Sequence, residues 1–300
     1  MTWDRREFLY TTSLAFVGGA FGRPLFAQDA APRFEDLRRN VGAFHMRGGT
    51  IGWLISDDAL VVVDSQFPDT AEACLRGLKT RSSRIIDALV NTHHHGDHTG
   101  GNKVFRPSVR QIIAHANVPG LQRTQAAARG TEADQAYPDA TFDETWRMDA
   151  GDEVVSAKHY GPGHTGGDIA VTFERANIVH MGDLMFNRRD PFVDRPGGAR
   201  IRGWLDTLPQ VIDDHDSDTL YIFGHAGEGF PLTGSATDLV VQRDYFAAVL
   251  EHVENGLAAG RSQEQIASLE RLPGMDDHAG APQRLQAVLN VAYEELTAGM

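Results

Sequence analysis

The stretch Asn91-Thr92-His93-His94-His95-Gly96-Asp97-His98-Thr99-Gly100-Gly101 holds five potential metal ligands within six consecutive positions. It follows the apolar run from Ile85 to Val90, which is typical of a buried strand, so the histidines fall on the loop at the carboxyl end of that strand. Imidazole and carboxylate groups that crowd together are costly to desolvate unless a cation offsets the cost. The stretch therefore predicts a metal site.

The spacing inside this stretch indicates how the ligands divide. His93 and His95 are two residues apart, so in an extended segment both side chains leave on the same side and can share one cation. Gly96 permits a turn, after which Asp97 and His98 can diverge toward a second, adjacent cation. His94 is the residue that this pattern leaves out, and we expect it to point away, either to a position behind the ligands or to the surface.

Composition narrows the class of partner. The chain has 300 residues, 41% of them hydrophobic, which is enough for a large core. Its formal net charge of -13 argues against a nucleic acid or an anionic membrane surface as the main partner, because both would be repelled. The single cysteine, Cys74, allows neither a disulfide framework nor a cysteine-rich metal site, and we interpret it as a small buried side chain. A small-molecule substrate is the expected partner.

The first 27 residues have the composition of an export signal. Arg5 and Arg6 precede Phe8, and the weakly hydrophobic segment that follows resembles a twin-arginine signal, which predicts a periplasmic or secreted protein. Asp4 stands where such signals usually carry Ser or Thr, and a frayed amphipathic terminus is the alternative interpretation. No later stretch reaches the roughly 18 apolar residues that a bilayer span needs, so we expect no stable membrane insertion after processing.

The remaining chain is predicted to form one domain with a helical tail. After a polar linker over residues 28–39, short β-type runs and then αβ alternation fill residues 40–232. Amphipathic helical patterns occupy residues 233–300. This order indicates two packed sheets with helices outside, an α/β fold. The C-terminal helices are expected to pack on the domain or to form the face of a homodimer.

Three later segments share one arrangement, a strand that stops at a small loop bearing a ligand-type residue. A single histidine after a strand is more often a hydrogen-bonded structural residue, but four such loops in one chain are hard to attribute to coincidence. The three segments are Gly161-Pro162-Gly163-His164-Thr165-Gly166-Gly167-Asp168, His180-Met181-Gly182-Asp183-Leu184 and Phe223-Gly224-His225-Ala226-Gly227.

The order HxHxDH, GHTGGD, GD after a strand and then GH resembles the metallo-β-lactamase superfamily over roughly residues 40–230. The resemblance implies an αββα four-layer sandwich with a dinuclear site, usually zinc, at one edge of the sheets. It also implies that Asp183 bridges the two ions and that Asp64 supports the ligands from behind, although Asp64 also fits a turn-starting residue. The implied ligands are His93, His95 and His164 for the first ion and Asp97, His98 and His225 for the second.

The implied chemistry is hydrolysis of a carbonyl compound. Two adjacent divalent cations lower the pKa of a shared water and stabilise the developing oxyanion. Asp97 is the candidate catalytic residue, because it can bind a metal and also orient the water or accept its proton. The expected substrate is an ester, thioester, lactone or amide, with a phosphoester less favoured.

Several residues separate the alternatives within and beyond this class. Zinc β-lactamases of the best-known class carry a cysteine where this chain has Asp183, so hydrolysis of β-lactams is an alternative rather than the first expectation. Asp183 resembles thioesterases of the glyoxalase II kind, lactonases and phosphodiesterases. Lactonases of the acyl-homoserine type carry a tyrosine where this chain has Phe186. The acidic tail from Ala236 to Met300 differs from the basic, glutathione-binding region of glyoxalase II enzymes.

Two more distant classes also remain open. One is an iron-dependent enzyme similar to the persulfide dioxygenases, which Asp97, His98 and His225 disfavour because those enzymes use essentially one metal. The other is a non-catalytic metal-binding protein. Mixed imidazole and carboxylate ligands accept zinc, iron, manganese or cobalt, so the ligand types alone do not name the metal.

Substrate specificity is expected to come from two loops, Val118 to Phe142 and Asn187 to Arg202. Arg188 and Arg189 in the second loop are candidates for an anion clamp, because guanidinium presents a fork to carboxylate or phosphate. Solvated loop charges, or pairs with Asp190 and Asp194, are the alternative. Phe192 and Trp204 are candidates for a pocket wall, with core packing as the alternative for both.

Overall fold

The computed structural model describes residues 31–278, 280 and 282–298. The predicted export signal at residues 1–27 lies outside these residues. Within them, none of the helices combines the length and the apolar character that a bilayer crossing requires.

The first sheet has seven strands in sequential order. Its first four strands form an antiparallel meander, and the next three add in parallel, each after a crossover. The strands are β1 (Arg33–Asp36), β2 (Val41–His45), β3 (Ile51–Ile55), β4 (Leu60–Val63), β5 (Ala88–Asn91), β6 (Ile112–His115) and β7 (Ala140–Phe142).

The second sheet has six strands in the order β15-β13-β11-β10-β9-β8, and a separate two-stranded sheet pairs β12 with β14. Strands β11 and β13 run in parallel, so their carboxyl ends lie at the same edge. The strands are β8 (Thr145–Asp149), β9 (Val154–Lys158), β10 (Ala170–Phe173), β11 (Ile178–His180), β12 (Phe186–Asn187), β13 (Leu220–Ile222), β14 (His225–Ala226) and β15 (Thr233–Gly234).

Helices cover the outer faces of both sheets. Alternating side chains of each strand point to opposite faces, so each sheet contributes to two apolar layers. Val61, Val63 and Val171 belong to the core between the sheets. The helices are α1 (Pro68–Arg81), α2 (Gly96–Thr99), α3 (Asn102–Phe105), α4 (Val118–Arg129), α5 (Ile201–Asp213), α6 (Ala236–Ala258), α7 (Gln263–Ala267) and α8 (Pro282–Thr297).

The two outer apolar layers complete the predicted αββα sandwich. Leu60 and Val62 of the first sheet pack with Cys74 and Leu78 of α1. Cys74 is fully buried, as interpreted from the sequence, and burial raises the pKa of its thiol. On the other side, Val179 of the second sheet belongs to the same core cluster as side chains of α5, α6 and α8. The α/β sandwich with C-terminal helices is therefore confirmed.

The C-terminal helices are joined to the domain by specific contacts as well as by apolar packing. Trp204 of α5 stacks on Phe246 of α6, with ring centroids 4.4 Å apart. The carboxylate of Glu295 in α8 accepts hydrogen bonds from the backbone N–H groups of Ile201 (2.9 Å) and Arg202 (3.1 Å), the first residues of α5. These bonds satisfy donors that a helix start leaves unpaired. Trp204 is fully buried, so the core-packing alternative describes it.

Three segments differ from the sequence-based expectations. The predicted linker over residues 28–39 contains strand β1, which pairs with β2, and the predicted specificity loop from Val118 to Phe142 contains helix α4 and ends in strand β7. Strand β8 was not predicted, although its five residues alternate between polar and apolar as those of a half-exposed strand do. All three strands lie at the edge of a sheet, where a strand is more exposed and its sequence is less apolar.

A large-to-small substitution tests how far α6 belongs to the core. Phe246 is fully buried, so Phe246→Ala should lower the free energy of unfolding by about 3–5 kcal/mol, measured by urea denaturation. Ile85→Ala removes an apolar side chain that is 44% exposed and should cost less than about 1 kcal/mol. Equal effects of the two substitutions would contradict the packing described.

Candidate metal centre

The first group of ligands comes from the loop after β5 and the loop between β9 and β10. The Nδ1 atom of His95 lies 3.1 Å from the Nε2 of His93 and 2.8 Å from the Nε2 of His164. All three side chains are buried. Three ring nitrogens therefore face one another in a space without bulk solvent.

Hydrogen bonds on the far side of each ring fix which nitrogen carries the proton. The Nδ1 of His164 lies 2.7 Å from the carbonyl oxygen of Phe192, and the Nε2 of His95 lies 2.9 Å from a carboxylate oxygen of Asp194. Carbonyl and carboxylate oxygens only accept hydrogen bonds, so these ring nitrogens are the donors. The facing nitrogens of His95 and His164 thus both present lone pairs.

The third ring follows the same logic through Thr92. The Thr92 hydroxyl donates to Asp64 at 2.7 Å, which leaves its oxygen to accept from the Nδ1 of His93 at 3.1 Å. The Nε2 atom of His93 therefore also presents a lone pair to the other two rings. Tetrahedral ligands about 2.0–2.1 Å from a zinc ion lie roughly 3.3 Å from one another, which is close to the spacing of these nitrogens. The group fits a divalent cation.

The second group comes from α2 and from strand β14. The Nε2 of His225 lies 3.1 Å from the Oδ2 of Asp97, and the Nε2 of His98 lies 3.9 Å from the same oxygen. The Nδ1 of His98 contacts Asp64 at 2.7 Å, so its Nε2 is free to act as a ligand.

Asp183, in the turn after β11, lies between the two groups. Its Oδ1 is 2.9 Å from the Nε2 of His98, and its Oδ2 is 3.4 Å from the Nε2 atoms of both His164 and His225. Among the described residues, neither its Oδ1 nor the Nε2 of His98 has a partner with hydrogen-bond geometry. Buried polar atoms without such partners are expected where an ion belongs. The structure brings all seven predicted ligand residues together.

A glycine makes this position accessible to the carboxylate. A Cβ atom at Gly224 would overlap the Oδ1 of Asp183. The GD and GH segments therefore fit one another only because residue 224 has no side chain.

Asp64 supports the ligand loop from behind. Its carboxylate accepts from the backbone N–H and the hydroxyl of Thr92 and from His98, each at 2.7 Å. Its φ of 65° lies in the left-handed region, which a residue other than glycine adopts at a cost. These bonds give Asp64 the supporting position that the sequence resemblance implied.

Charge is distributed unevenly between the two groups. Burial lowers the pKa of His93 and lowers that of His164 to about 3, so both are neutral ligands. Burial also opposes the charged form of His98, but the charges of Asp183 and Asp64 outweigh it and raise the pKa of His98 well above its usual value. The second half of the centre therefore has a strong preference for positive charge, which a cation can supply in place of protons.

Asp194 is a residue of this site that the sequence analysis did not assign. Its Oδ2 contacts the Nε2 of His95 and lies 3.3 Å from the Nε2 of His94, and its Oδ1 accepts from Gly197 at 3.0 Å. His94 is buried behind the ligands, so the surface alternative was wrong for it. The sequence gives no signal for these contacts, because Asp194 and His95 lie 99 positions apart.

Asp168 holds the loop that carries His164. Its carboxylate accepts from the backbone N–H of Thr165 at 2.7 Å and of Gly163 at 3.2 Å. Burial raises the pKa of Asp168 to about 7, against the effect of these bonds. The acidic residue that ends GHTGGD is thus a loop support.

A cavity of about 250 Å³ opens onto the ligands. Phe192, which is 50% exposed, forms part of its wall, so the pocket-wall alternative and not core packing describes this residue. Both predicted specificity loops contribute to it. Its lining residues are Phe67, His95, Gly96, Asp97, Gln125, Arg129, Asp183, Phe186, Arg189, Phe192, His225 and Arg284.

The two neighbouring arginines of the second loop have different surroundings. Arg188 pairs with Asp277 at 2.7 Å and with Asp238 at 3.4 Å. It is therefore not part of an anion clamp at this cavity. Its partners also differ from Asp190 and Asp194, the two considered from the sequence. Its φ of 52° turns the chain, and Arg189 lines the cavity instead. Asp190 accepts from the hydroxyl of Tyr245 at 2.9 Å.

A larger cavity, of about 490 Å³, lies beside strands β8–β10 and the end of α5. It includes none of the ligand residues, and its Lys158 is paired with Asp214. We therefore place the functional site at the smaller cavity.

Comparison with known proteins agrees with this geometry. The profile of the "Metallo-beta-lactamase superfamily" matches residues 47–225, which is more than half of the chain. The chain belongs to the metallo-β-lactamase superfamily. At this level, the prediction of a metallo-hydrolase is confirmed.

Curated relatives include several hydroxyacylglutathione hydrolases. The enzyme of Synechococcus sp. (strain JA-3-3Ab) is 28% identical over 53% of this chain and 58% of its own length. That of Rhodospirillum rubrum is 32% identical over 43% of this chain and 44% of its own length. The chain thus spans about half the length of these two relatives. A third, from Synechococcus sp. (strain ATCC 27144), is 32% identical over 68% of this chain and 73% of its own length.

Solved structures show the same fold at low identity. A metallo-beta-lactamase from Pontibacter korlensis superposes with a TM-score of 0.60 at 17% identity, over 72% of this chain and 99% of the other. The sec-alkylsulfatase Pisa1 from Pseudomonas sp. superposes with a TM-score of 0.68 at 16% identity, over 89% of this chain and 50% of the other.

Removal of the metal should destabilise the fold, because lone pairs and carboxylates would then face one another unshielded. We expect chelation to lower the melting temperature by about 10 °C and added zinc to restore it, since a ligand at ~1,000 times its Kd stabilises by about 4 kcal/mol. Calorimetry gives the measurement. The shift should be much smaller in Asp183→Asn, and an unchanged melting temperature of the native chain would argue against a metal centre.

Asp194 should affect metal binding through the imidazole it orients. Asp194→Ala is expected to weaken zinc binding by about 10–100-fold, the usual effect of losing a partner of a metal-bound histidine. Competition with a chromogenic chelator measures it. Asp194→Asn keeps an acceptor oxygen and should lose less, so equal losses in the two variants would contradict a role in positioning His95.

Proposed function

We propose that this chain is a hydrolase that binds two divalent cations, both zinc, and cleaves a thioester or ester carbonyl. The observation that carries the proposal is the position of Asp183, whose two oxygens contact histidines of both ligand groups. His93, His95 and His164 would hold one ion, and Asp97, His98 and His225 the other, with Asp183 shared.

When bound, such cations polarise a carbonyl and lower the pKa of water toward neutrality. The protein must then orient that water and the substrate. Asp97 suits the first task, because its side chain is 28% exposed and borders the cavity, whereas that of Asp183 is 4% exposed.

The surroundings of Asp97 keep its carboxyl group ionised. Burial would raise its pKa, but His98 and His225 outweigh it and hold the pKa well below its usual range. The ionised carboxylate is able to bind a cation and to orient a water molecule by accepting its hydrogen bond.

Thioesters and esters are the favoured substrates for two reasons. The relatives that are about 30% identical are named hydroxyacylglutathione hydrolases. The residue between the ligand groups is Asp183 and not the cysteine of the best-known zinc β-lactamases. The β-lactamase and alkylsulfatase structures are below 25% identity and support only the fold.

The iron-dependent alternative is disfavoured by the second ligand group. Asp97, His98 and His225 lie together and are able to bind a metal. Metal analysis separates the two functions, since two zinc ions per chain and no iron exclude a mononuclear iron dioxygenase.

Location and assembly remain proposals. A periplasmic or secreted location rests on the arginine pair at residues 5 and 6. A homodimer through the C-terminal helices stays a prediction, and their amphipathic pattern does not by itself support it, because the apolar faces of α6 and α8 pack in the core of the domain.

Substitution of Asp97 tests the catalytic assignment. Asp97→Ala should reduce kcat/KM for a chromogenic thioester by at least about 100-fold, since a positioned acid–base group contributes that much, while the fold is retained. The matched control is Asp69→Ala, because Asp69 is exposed and its one ion pair among the described residues is with Arg47. Full activity of Asp97→Ala would overturn the assignment, and inactivity of the native chain toward thioesters and esters would overturn the proposed function.

A further inference from the structure

Three arginines surround the opening of the cavity, and each comes from a different part of the chain. Arg129 ends α4, Arg189 follows strand β12, and Arg284 lies in the first turn of α8. The guanidinium of Arg129 reaches to 3.8 Å from the position that a Cβ of Gly96 would occupy, beside the ligand Asp97. Side chains so far apart in sequence converge on one opening.

Within the part of the chain that the structure describes, none of these three arginines forms an ion pair with a carboxylate. Among the described residues, the ion pairs within 4.0 Å include Arg188 twice but none of the three. The neighbouring residue in the same loop, Arg188, does pair with carboxylates, those of Asp238 and Asp277. Arg189 has the same chemistry and is directed to the cavity without such a partner.

Arg189 and Arg284 line the same cavity of about 250 Å³, so their like charges act on one another. Burial and the positive charge of Arg284 lower the pKa of Arg189, against the opposing effect of Asp183 and Asp97. Like charges in a small cavity repel one another, and the repulsion is relieved when an anion enters.

The two carboxylates that line the cavity, those of Asp97 and Asp183, are engaged with ligand histidines rather than with the arginines. Asp97 contacts His225 at 3.1 Å, and Asp183 contacts His98 at 2.9 Å, so both belong to the ligand groups. A formal charge of -13 for the whole chain makes this cationic opening a local exception. Perturbed and unpaired charges in a cleft are typical of functional sites.

We propose that Arg129, Arg189 and Arg284 form a subsite for an oxyanion of the substrate, and that this group is a carboxylate remote from the bond that is cleaved. This inference rests on the proposed function. The planar fork of guanidinium matches the two oxygens of a carboxylate. Phe186, which stacks on the ring of the ligand His225, and Phe192, whose ring lies 5.5 Å from that of His95, are apolar residues of the same cavity. The substrate class is therefore a small thioester or ester that carries a carboxylate.

A pair of non-hydrolysable ketones tests the subsite by direct binding. In 5-oxohexanoate and 5-oxohexanamide a methylene replaces the thioester sulfur, and the two differ only in the charge of the end group. Calorimetry on the zinc-loaded protein should show the acid binding at least about tenfold more tightly, the size of a typical charge-assisted contact. Equal binding of acid and amide would overturn the proposal.

Variants of the arginines identify which residues cause the preference for the acid over the amide. Arg189→Gln and Arg284→Gln should each lose about tenfold in affinity for the acid and little for the amide, and Arg129→Gln, which alters an exposed side chain, should lose less. The matched control Arg188→Gln should keep the preference. A preference that survives in the triple variant R129Q/R189Q/R284Q would overturn the proposal. Tighter binding of 4-oxopentane-1-sulfonate than of the carboxylate would overturn the choice of carboxylate.

Kinetics with the matching thioesters separates this inference from the proposed function. The substrates are the S-acetyl thioesters of 3-mercaptopropionate and 3-mercaptopropionamide. Hydrolysis of both at equal kcat/KM would overturn the subsite while the proposed function stands. Hydrolysis of neither, with the ketone preference intact, would overturn the proposed function while the subsite stands.

Discussion

Neutral imidazole rings whose lone pairs face one another, among buried side chains, are the constraint on which this site depends. The Nδ1 of His95 lies within 3.1 Å of two other ring nitrogens, and the acceptors behind the rings prevent a proton from sitting between His95 and His164. Such an arrangement is unfavourable by itself and becomes favourable when a cation occupies the centre. The free energy of metal binding and the free energy of folding are therefore linked in this chain.

The same constraint explains why distant loops meet at one edge of the sandwich. Four of the five ligand rings have a partner behind them, and these partners come from the end of β4, from the loop after β5 and from the loop that precedes α5. The last of these loops also carries Arg189 and Phe192, which line the cavity. Metal binding and the shape of the substrate opening are thus held by the same backbone segment.

The sequence predicted the parts of this structure whose signal is local. The HxHxDH spacing and the GD and GH segments that follow strands carried the resemblance to the superfamily, and that resemblance implied the sandwich and the seven converging residues. Asp194 was missed because its partner is 99 positions away and no pattern joins them. Arg188 and Arg189 were treated as one pair, since only the backbone conformation at Arg188 separates their directions. The contribution of Arg284 depends on how α8 packs, which amphipathic spacing does not specify.

Membership of the superfamily predicts the ligand residues of this chain but not Arg284. Every one of the seven converging ligand residues falls inside the segment 47–225 that the superfamily profile matches, whereas Arg284 lies beyond it, on α8. In the proposed subsite, Arg129 and Arg189 belong to the shared segment and Arg284 does not, so substrate choice depends in part on a stretch of chain outside the one that carries the ligands. Homologues that keep the shared segment but exchange the terminal helices can inherit the chemistry and still select different molecules.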